Sequence, residues 1–534
     1  MSWALMAFSL SSWGALLSPL ASSFAIALFW HAIRNVSQSF WLASLWFFSV
    51  QLVQIGWLAT AEYMGSGIYV VYALLSAAIG CQFGGLTQLV GKKPSFLVAL
   101  SAGCFWIVME WMRILPLTGF TWNPIGLILA ENGFSIQMAS LFGIYGLSFW
   151  VIFSNVLAKQ ALDHRKGWMK WALVAVFPYF FGYVYINVWE SQGKTERPLQ
   201  AALVQTALMP EEKEYTQERA HLHIPPLEQW HRILLHLKKT DSQEFDLIAL
   251  PEGAVPWTLE KTGYPYESAR EIWTQVFGDE SIASFPPKIY PYAREGKNGA
   301  WRVSNAFWAQ SIANHFHAEL IVGLLGVDAS GSYNSAYYFR PKSDRIFRYD
   351  KRMLVPLGEY LPFPKDSAFA HFVTDRFGIG LSFDAGLEAR LFEGLFSIGI
   401  SICSEEVYSD LIRDQRVNGA TLFVNIANDA WFPDTELPEL HYLHARIRAV
   451  ENGVCALRAA NTGISGAIDC FGRDIKRLKE GAGAIAVSIR VQQIPTLFTA
   501  FGDKLVLFVS FGPAIWLCRG WFRKKKLPEY GALD

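Results

Sequence analysis

Charge is divided so unevenly along this chain that its two parts must fold in different solvents. Only thirteen of its 92 Lys, Arg, Asp and Glu side chains fall within residues 1–190, and the other 79 fall in the remaining 344 residues. Apolar runs at about residues 4–20, 21–33, 39–60, 67–90, 94–114, 135–158 and 168–187, with an eighth at about 501–518, interrupt that first part and close the chain. Most approach or reach the length needed to span roughly 30 Å of hydrocarbon. In lipid every backbone polar group must be satisfied within the segment, so these runs are expected to be helices. Pro19 either breaks one long helix or separates two short ones. No basic region precedes the first run, so a cleaved signal peptide is not expected.

Orientation follows from the basic residues, which concentrate in cytoplasmic loops. Arg34, then Lys92 and Lys93, then Lys159, Arg165, Lys166 and Lys170 occupy alternate connections, while Glu62 and Glu131 occupy the intervening ones. Arg519 and the run Arg523 to Lys526 follow the last span. With these basic loops cytoplasmic, residues 193–497 are expected outside the cytoplasm, anchored at both ends. The expected domains are therefore a helical bundle at 1–192, a water-soluble domain at 193–497, and a returning helix with a basic tail at 498–534. Glu110 and Arg113, three apart in one span, read as a functional group or as structural glue. The loop Leu117-Thr-Gly-Phe-Thr-Trp-Asn-Pro124 falls on the outer side, with Trp122 at interface depth.

With 46 basic and 46 acidic residues in balance, the chain gives no electrostatic reason to bind nucleic acid. Cys81, Cys104, Cys403, Cys455, Cys470 and Cys518 are scattered without a CxxC or a Cys/His cluster. Neither a disulfide framework nor a metal site is expected, and no cofactor is called for.

Within 193–497, β-branched runs at Ala201–Gln205, Phe245–Leu250, Leu320–Val327, Ile346–Tyr349, Leu395–Ile402, Thr421–Ile426, Cys455–Ala459, Gly466–Cys470 and Ala484–Ile489 read as strands. Helical patterns at Leu227–Lys239, Arg302–His317 and Pro438–Asn452 lie between some of them. This alternation predicts an α/β layered domain with buried sheets. Ligands bind beyond the strand ends in such folds. Three of these ends hold titratable groups: Glu252 after Leu250-Pro, Lys351 after Tyr349-Asp, and Cys403 after Ser401-Ile.

Singly, each reads as a solvated strand end or as packing. Jointly they suit acyl transfer through a thiol. An ordinary cysteine is mostly protonated at neutral pH and needs a base and a cationic neighbour. Glu252 is the candidate base, and Lys351 the candidate stabiliser of thiolate and oxyanion. His441 and His444 stand three apart on a helix, a spacing that suits a surface face as well as catalysis.

Glu, Lys and Cys in this order, with Pro251-Glu252-Gly-Ala-Val-Pro256, Tyr349-Asp-Lys351 through Glu359-Tyr-Leu-Pro362, Ile402-Cys403-Ser-Glu405, Asn425-Ile-Ala-Asn-Asp429-Ala-Trp431 and Arg458-Ala-Ala-Asn461-Thr-Gly463, resemble the apolipoprotein N-acyltransferase family of the nitrilase (carbon-nitrogen hydrolase) superfamily. The helices and the Leu117 to Trp122 loop extend the resemblance over nearly the whole chain. It implies a four-layer α-β-β-α sandwich inserted between about seven transmembrane helices and one more. It also implies a bacterial inner-membrane enzyme whose catalytic domain faces the periplasm. Its substrates would be a phospholipid acyl donor, typically phosphatidylethanolamine, and an apolipoprotein acceptor.

In that pattern Cys403 is the nucleophile, Glu252 the general base and Lys351 the oxyanion partner. Glu359 corresponds to an accessory glutamate that orients the lysine, Trp431 to a tryptophan at the substrate cleft, and Glu405 to an accessory position after the cysteine. The chain departs where the family usually has Tyr after the cysteine, here Ser404, and where it has Trp before and Thr, Ser or Ala after the Pro-Glu pair, here Leu250 and Gly253. Ile321–Leu325 and the Trp431-Phe432-Pro433 turn are candidate lids over a thioester. A membrane-tethered amidase that releases the acyl group to water is the alternative enzyme, and a catalytically dead binding scaffold the alternative class.

Overall fold

The computed structural model describes every residue except 11–13, 116–118, 165–166, 192–196, 216, 218, 243, 362–366, 368–382 and 527–534. Leu117 and Thr118 of the expected outer loop, Arg165, Lys166 and Pro362 therefore lie outside the described residues. The chain divides into two compact units, one of Met1–Gly193, Val450–Asn452 and Pro495–Asp534, the other of Lys194–Ala449 and Gly453–Ile494.

The first unit is helical. Among the described residues, Ile68–Val90, Phe96–Ile114, Ser135–Asp163, Trp168–Glu190 and Leu497–Arg523 are long and apolar enough to cross a membrane. The 39–60 run yields less. Its helix covers Ser39–Gln54, about 24 Å at 1.5 Å per residue, before the chain turns through Gly56–Leu58. Near the start, Ser2–Ala7 is a short helix, and a second helical stretch runs from Gly14 to Ala32 with Pro19 inside it. The helix passes through the proline and widens at Ala21–Ala25 just beyond it. The hydroxyls of Ser22 and Ser23 donate to the Pro19 carbonyl at 3.3 and 2.6 Å.

Glu110 is buried here and ties two segments together. Its Oε1 accepts from Trp106 Nε1 and from the Ile125 N–H, each at 2.7 Å. Arg113 turns to Gln82 Oε1 at 2.9 Å and lies 5.6 Å from the Trp106 ring centroid. Glu110 thus ties the helix Phe96–Trp111 to the 121–126 loop, and Arg113 ties that helix to Ile68–Val90.

The second unit contains two six-stranded sheets. In the first, the spatial order is Gly483–Ile489, Leu199–Gln205, Leu247–Ala249, Glu319–Asp328, Gly331–Phe339, Phe347–Asp350. In the second it is Asp474–Leu478, Ser465–Ile468, Ala456–Ala460, Leu422–Ala427, Ser397–Ile402, Leu391–Glu393. Each sheet has a parallel centre. Leu203, Ala249 and Ile321 are aligned in one, and Ile402, Ile426 and Ala459 in the other. Gln205 Oε1 accepts from the Ser465 hydroxyl at 2.8 Å, and Thr206 donates to Asn461 at 2.6 Å, which joins the two sheets.

Helices pack on each sheet by their apolar faces. Trp230, Ile233, Leu234 and Leu237 of Pro226–Lys238, Trp273 of Tyr266–Phe277 and Trp308 of Asn305–Phe316 share one core with Ile248, Leu320 and Val322. Each such side chain contributes about 1.5–3 kcal/mol on burial. Tyr442, Ala445 and Ala449 of Leu437–Asn452 share another with Phe423, Ala456 and Ile468.

One expectation is overturned by this topology. Ile321–Leu325 is no loop, because it lies within the strand Glu319–Asp328, hydrogen-bonded to a neighbour on both sides. Ile321, Val322 and Leu324 are buried. A lid must leave its contacts at little cost, and a central strand does not.

Candidate active site

The strand ends Leu247–Ala249, Phe347–Asp350 and Ser397–Ile402 are followed by Glu252, Lys351 and Cys403. The first two belong to one sheet and the third to the other. The Lys351 ammonium is buried, donates to Glu359 Oε1 at 2.8 Å, and lies 3.6 Å from Glu252 Oε1. Asn334 bridges the two carboxylates, its Nδ2 donating to Glu252 Oε1 at 2.6 Å and to Glu359 Oε1 at 2.9 Å. Glu359 Oε2 accepts from the Val355 N–H at 2.8 Å. Glu252 Oε2 is buried and has no hydrogen-bond partner among the described residues. One oxygen of this carboxylate is thus fixed by the Asn334 amide and the other has no donor on it among the described residues.

Burial lowers the affinity of the Lys351 amine for its proton, but Glu359, Glu252 and Cys403 outweigh burial and hold the group above its ordinary value. Burial pushes the Cys403 thiol well above its ordinary range, the Glu252 charge adds to this, and Lys351 opposes it. The resting thiol is therefore protonated at neutral pH. A thiol in this state becomes a nucleophile only as a base takes its proton.

Cys403 has φ +52°, a left-handed conformation that costs a non-glycine residue about 1–3 kcal/mol. The surrounding structure holds it there. The Cys403 carbonyl accepts from His441 Nε2 at 3.0 Å and from Asn425 Nδ2 at 3.2 Å. The thiol itself lies 3.8 Å from the Asn428 carbonyl. His441 Nδ1 is 2.9 Å from Asp429 Oδ1 and 2.7 Å from Arg458 Nη2. Arg458 also pairs with Glu406 and donates to Asn425 Oδ1 at 2.8 Å. A desolvation penalty on Asp429 is outweighed by His441 and Arg458, so its carboxyl stays below the usual range. This network underlies the Cys403 backbone, and the surface-face reading of His441 and His444 fails because both are buried.

Glu405 is fully buried and clamps the lysine loop to the cysteine strand. Its carboxylate accepts from Tyr349 Oη at 2.9 Å, from the Arg352 and Met353 N–H groups at 2.6 and 3.2 Å, and from the Ile402 N–H at 2.8 Å. Burial raises its proton affinity, which those donors oppose. Ser404 is buried in the turn Cys403–Val407. Trp431 follows the second sheet's Leu422–Ala427 strand and is 44% exposed.

Two contributors were not singled out from sequence. Asn334 lies in the polar first half of Gly331–Phe339, ahead of the buried run Ala336-Tyr-Tyr-Phe339. Gly323 lies where a Cβ would meet Glu252 Cα and the Pro251 carbonyl, each at 2.6 Å. An isolated glycine inside a strand run is the available signal for such close approach. Gly323→Ala is expected to push the Glu252 loop aside, and displacing a catalytic group by about 1 Å costs on the order of 100-fold in rate. Turnover measured beside thermal unfolding checks this; unchanged turnover would show that the contact is not limiting.

Residues 200–496 match the carbon-nitrogen hydrolase family, and residues 2–157 match the apolipoprotein N-acyltransferase N-terminal domain. The chain is 28% identical to apolipoprotein N-acyltransferase of Chlamydia pneumoniae, over 99% of this chain and 98% of that protein. It is 28% identical to the protein of the same name from Chlamydia caviae, over 95% and 94%. Among solved structures, XC1258 of Xanthomonas campestris, a CN-hydrolase superfamily protein, aligns at 17% identity with a TM-score of 0.36, covering 55% of this chain and 91% of that one. With this pair of matched regions in one chain, and relatives alike along nearly its full length, the chain belongs to the carbon-nitrogen hydrolase family, in its apolipoprotein N-acyltransferase branch.

Proposed function

We propose that this chain moves an acyl chain from a phospholipid, through a thioester on Cys403, to the α-amino group of the diacylglyceryl-cysteine that begins an apolipoprotein. The observation that carries this reading is the open, buried Glu252 Oε2 in electrostatic reach of a protonated thiol, beside an ammonium already neutralised by Glu359. Lipoprotein N-acylation is the activity in the names of the full-length relatives.

In the first half-reaction Glu252 takes the thiol proton as sulfur attacks the donor ester carbonyl. Lys351 stabilises the oxyanion that forms. Collapse breaks the ester C–O bond, and the departing lysophospholipid oxygen takes the proton back from Glu252. In the second, the acceptor amine attacks the thioester, Glu252 takes its proton, and sulfur leaves and is reprotonated. One site thus serves two bulky lipids in turn, with ping-pong kinetics.

The reading includes Glu359 orienting Lys351, Glu405 bracing the two loops, and Trp431 at the cleft rim. It includes a four-layer catalytic domain at 193–497 on the periplasmic face of the bacterial inner membrane. A bundle at 1–192 and a return helix at 498–534 would make up the eight-helix membrane part, and phosphatidylethanolamine is the proposed donor. Anchoring the site at the lipid surface suits the chemistry, because drawing a chain into water costs about 0.8 kcal/mol per CH₂. The purified chain in phosphatidylethanolamine vesicles with a diacylated lipopeptide is expected to yield the N-acylated lipopeptide. Release of free fatty acid alone would favour the amidase instead.

A further inference from the structure

A thiol is placed by its backbone, and the Cys403 backbone sits in the left-handed region at φ +52°. A non-glycine residue stays there only while its surroundings hold it. Relaxing to negative φ would swing the Cβ and carry the sulfur away from its position.

The restraint converges on the Cys403 carbonyl. His441 Nε2 lies 3.0 Å from it and Asn425 Nδ2 lies 3.2 Å from it. A carbonyl has no proton to give, so both nitrogens donate, whatever the imidazole carries at Nδ1. The two donors are not equivalent. Asn425 Nδ2 also donates to Ser401 Oγ at the shorter distance of 2.9 Å. Glu406 Oε2, by contrast, is 3.9 Å from His441 Nε2, too far to draw that proton away from the carbonyl.

His441 is itself held from behind. It is fully buried on Leu437–Asn452, a helix whose Tyr442, Ala445 and Ala449 pack in one core with Phe423 and Ala456. Asp429 Oδ1 stands 2.9 Å and Arg458 Nη2 2.7 Å from the imidazole Nδ1. Arg458 Nη1 donates to Asn425 Oδ1 at 2.8 Å, so one buried guanidinium backs both donors to the Cys403 carbonyl. Arg458 in turn is paired with Glu406 and with Asp429 Oδ2 at 3.4 Å. The Asn428 carbonyl that faces the Cys403 thiol at 3.8 Å precedes Asp429 in the chain, so the contact between His441 and Asp429 also fixes the loop beside the sulfur.

We infer that His441 is a positioning residue, whose hydrogen bond to the Cys403 carbonyl keeps the nucleophile in its left-handed conformation and its thiol where acyl transfer uses it. This rests on the role proposed above for Cys403. The requirement falls on the reach and the proton of Nε2, since these are what the carbonyl meets.

The test measures thioester formation on Cys403, with the full-length chain and phospholipid vesicles at concentrations up to saturation, for wild type, His441→Gln, His441→Asn and His441→Leu. Glutamine offers an amide N–H at the same number of bonds from the Cβ as Nε2. Asparagine offers the same amide one carbon short, and leucine fills the space without a donor. The leucine and asparagine variants are expected to lose about ten- to a hundredfold in maximal rate, the scale of displacing a reacting group by about 1 Å. Their half-saturating lipid concentration should stay at the wild-type value, because the lost contact is to the enzyme's own backbone. His441→Gln should recover most of the rate. The comparison of glutamine with asparagine carries the test where the leucine variant folds poorly, since the two amides differ in reach alone. A folded His441→Asn that matches wild type, a His441→Gln as slow as His441→Asn, or a change confined to the half-saturating concentration overturns the inference and leaves Cys403 in its role. A wild type that forms no thioester overturns that role and this inference together.

Discussion

Lys351→Met is expected to abolish thioester formation and also to destabilise the catalytic domain by about 3–5 kcal/mol, the cost of removing one partner from a buried ion pair. The ammonium is buried, with Glu359 at 2.8 Å and Glu252 at 3.6 Å. A methionine of similar reach fills the space but leaves both carboxylates without their cation. Asn334 would still donate to them, yet a neutral amide does not cancel two negative charges. Thermal unfolding of the detergent-solubilised variant reads the stability loss, and intact-mass spectrometry reads the missing adduct. An unaltered unfolding temperature would show that the carboxylates are neutralised in some other way.

Glu252→Gln separates chemistry from folding. Glutamine keeps an oxygen for the Asn334 amide and leaves Lys351 with its closer partner, Glu359. The cost in stability should therefore be small. What disappears is the open oxygen that takes the thiol proton, and general-base catalysis is worth about 10²–10⁴ in rate. Removing the Glu252 charge eases the thiol's hold on its proton, but burial, the larger cause of that hold, remains in the variant. Rapid-quench measurement of thioester formation is expected to show a loss in that range with unfolding unchanged; a wild-type rate would transfer the base role elsewhere.

Glu252, Lys351 and Cys403 stood out as candidates because each closes an apolar strand run, where side-chain periodicity marks the end of the sheet and chemistry marks the residue. Asn334 did not, since it falls in the polar half of Gly331–Phe339, next to the hairpin turn at 329–330 and ahead of the buried Ala336-Tyr-Tyr-Phe339 run. His441 was noticed, but helical spacing alone does not tell a solvated face from one buried against Asp429 and Arg458. The apolar runs marked the long helices well and overstated the 39–60 segment, because apolarity persists through the turn at Gly56–Leu58. Ile321–Leu325 failed as a lid for a related reason, since a fully apolar stretch marks a buried strand as readily as a mobile loop.

Cys403 as acyl carrier is the claim on which the rest depends. Incubating the full-length chain with phospholipid carrying a labelled sn-1 chain, then digesting it at low pH for mass spectrometry, is expected to show that acyl group as a thioester on the Cys403 peptide. The adduct should disappear when a diacylated lipopeptide is added and be absent from Cys403→Ala. A wild type without the adduct, or a Cys403→Ala chain that carries it equally, would contradict the account.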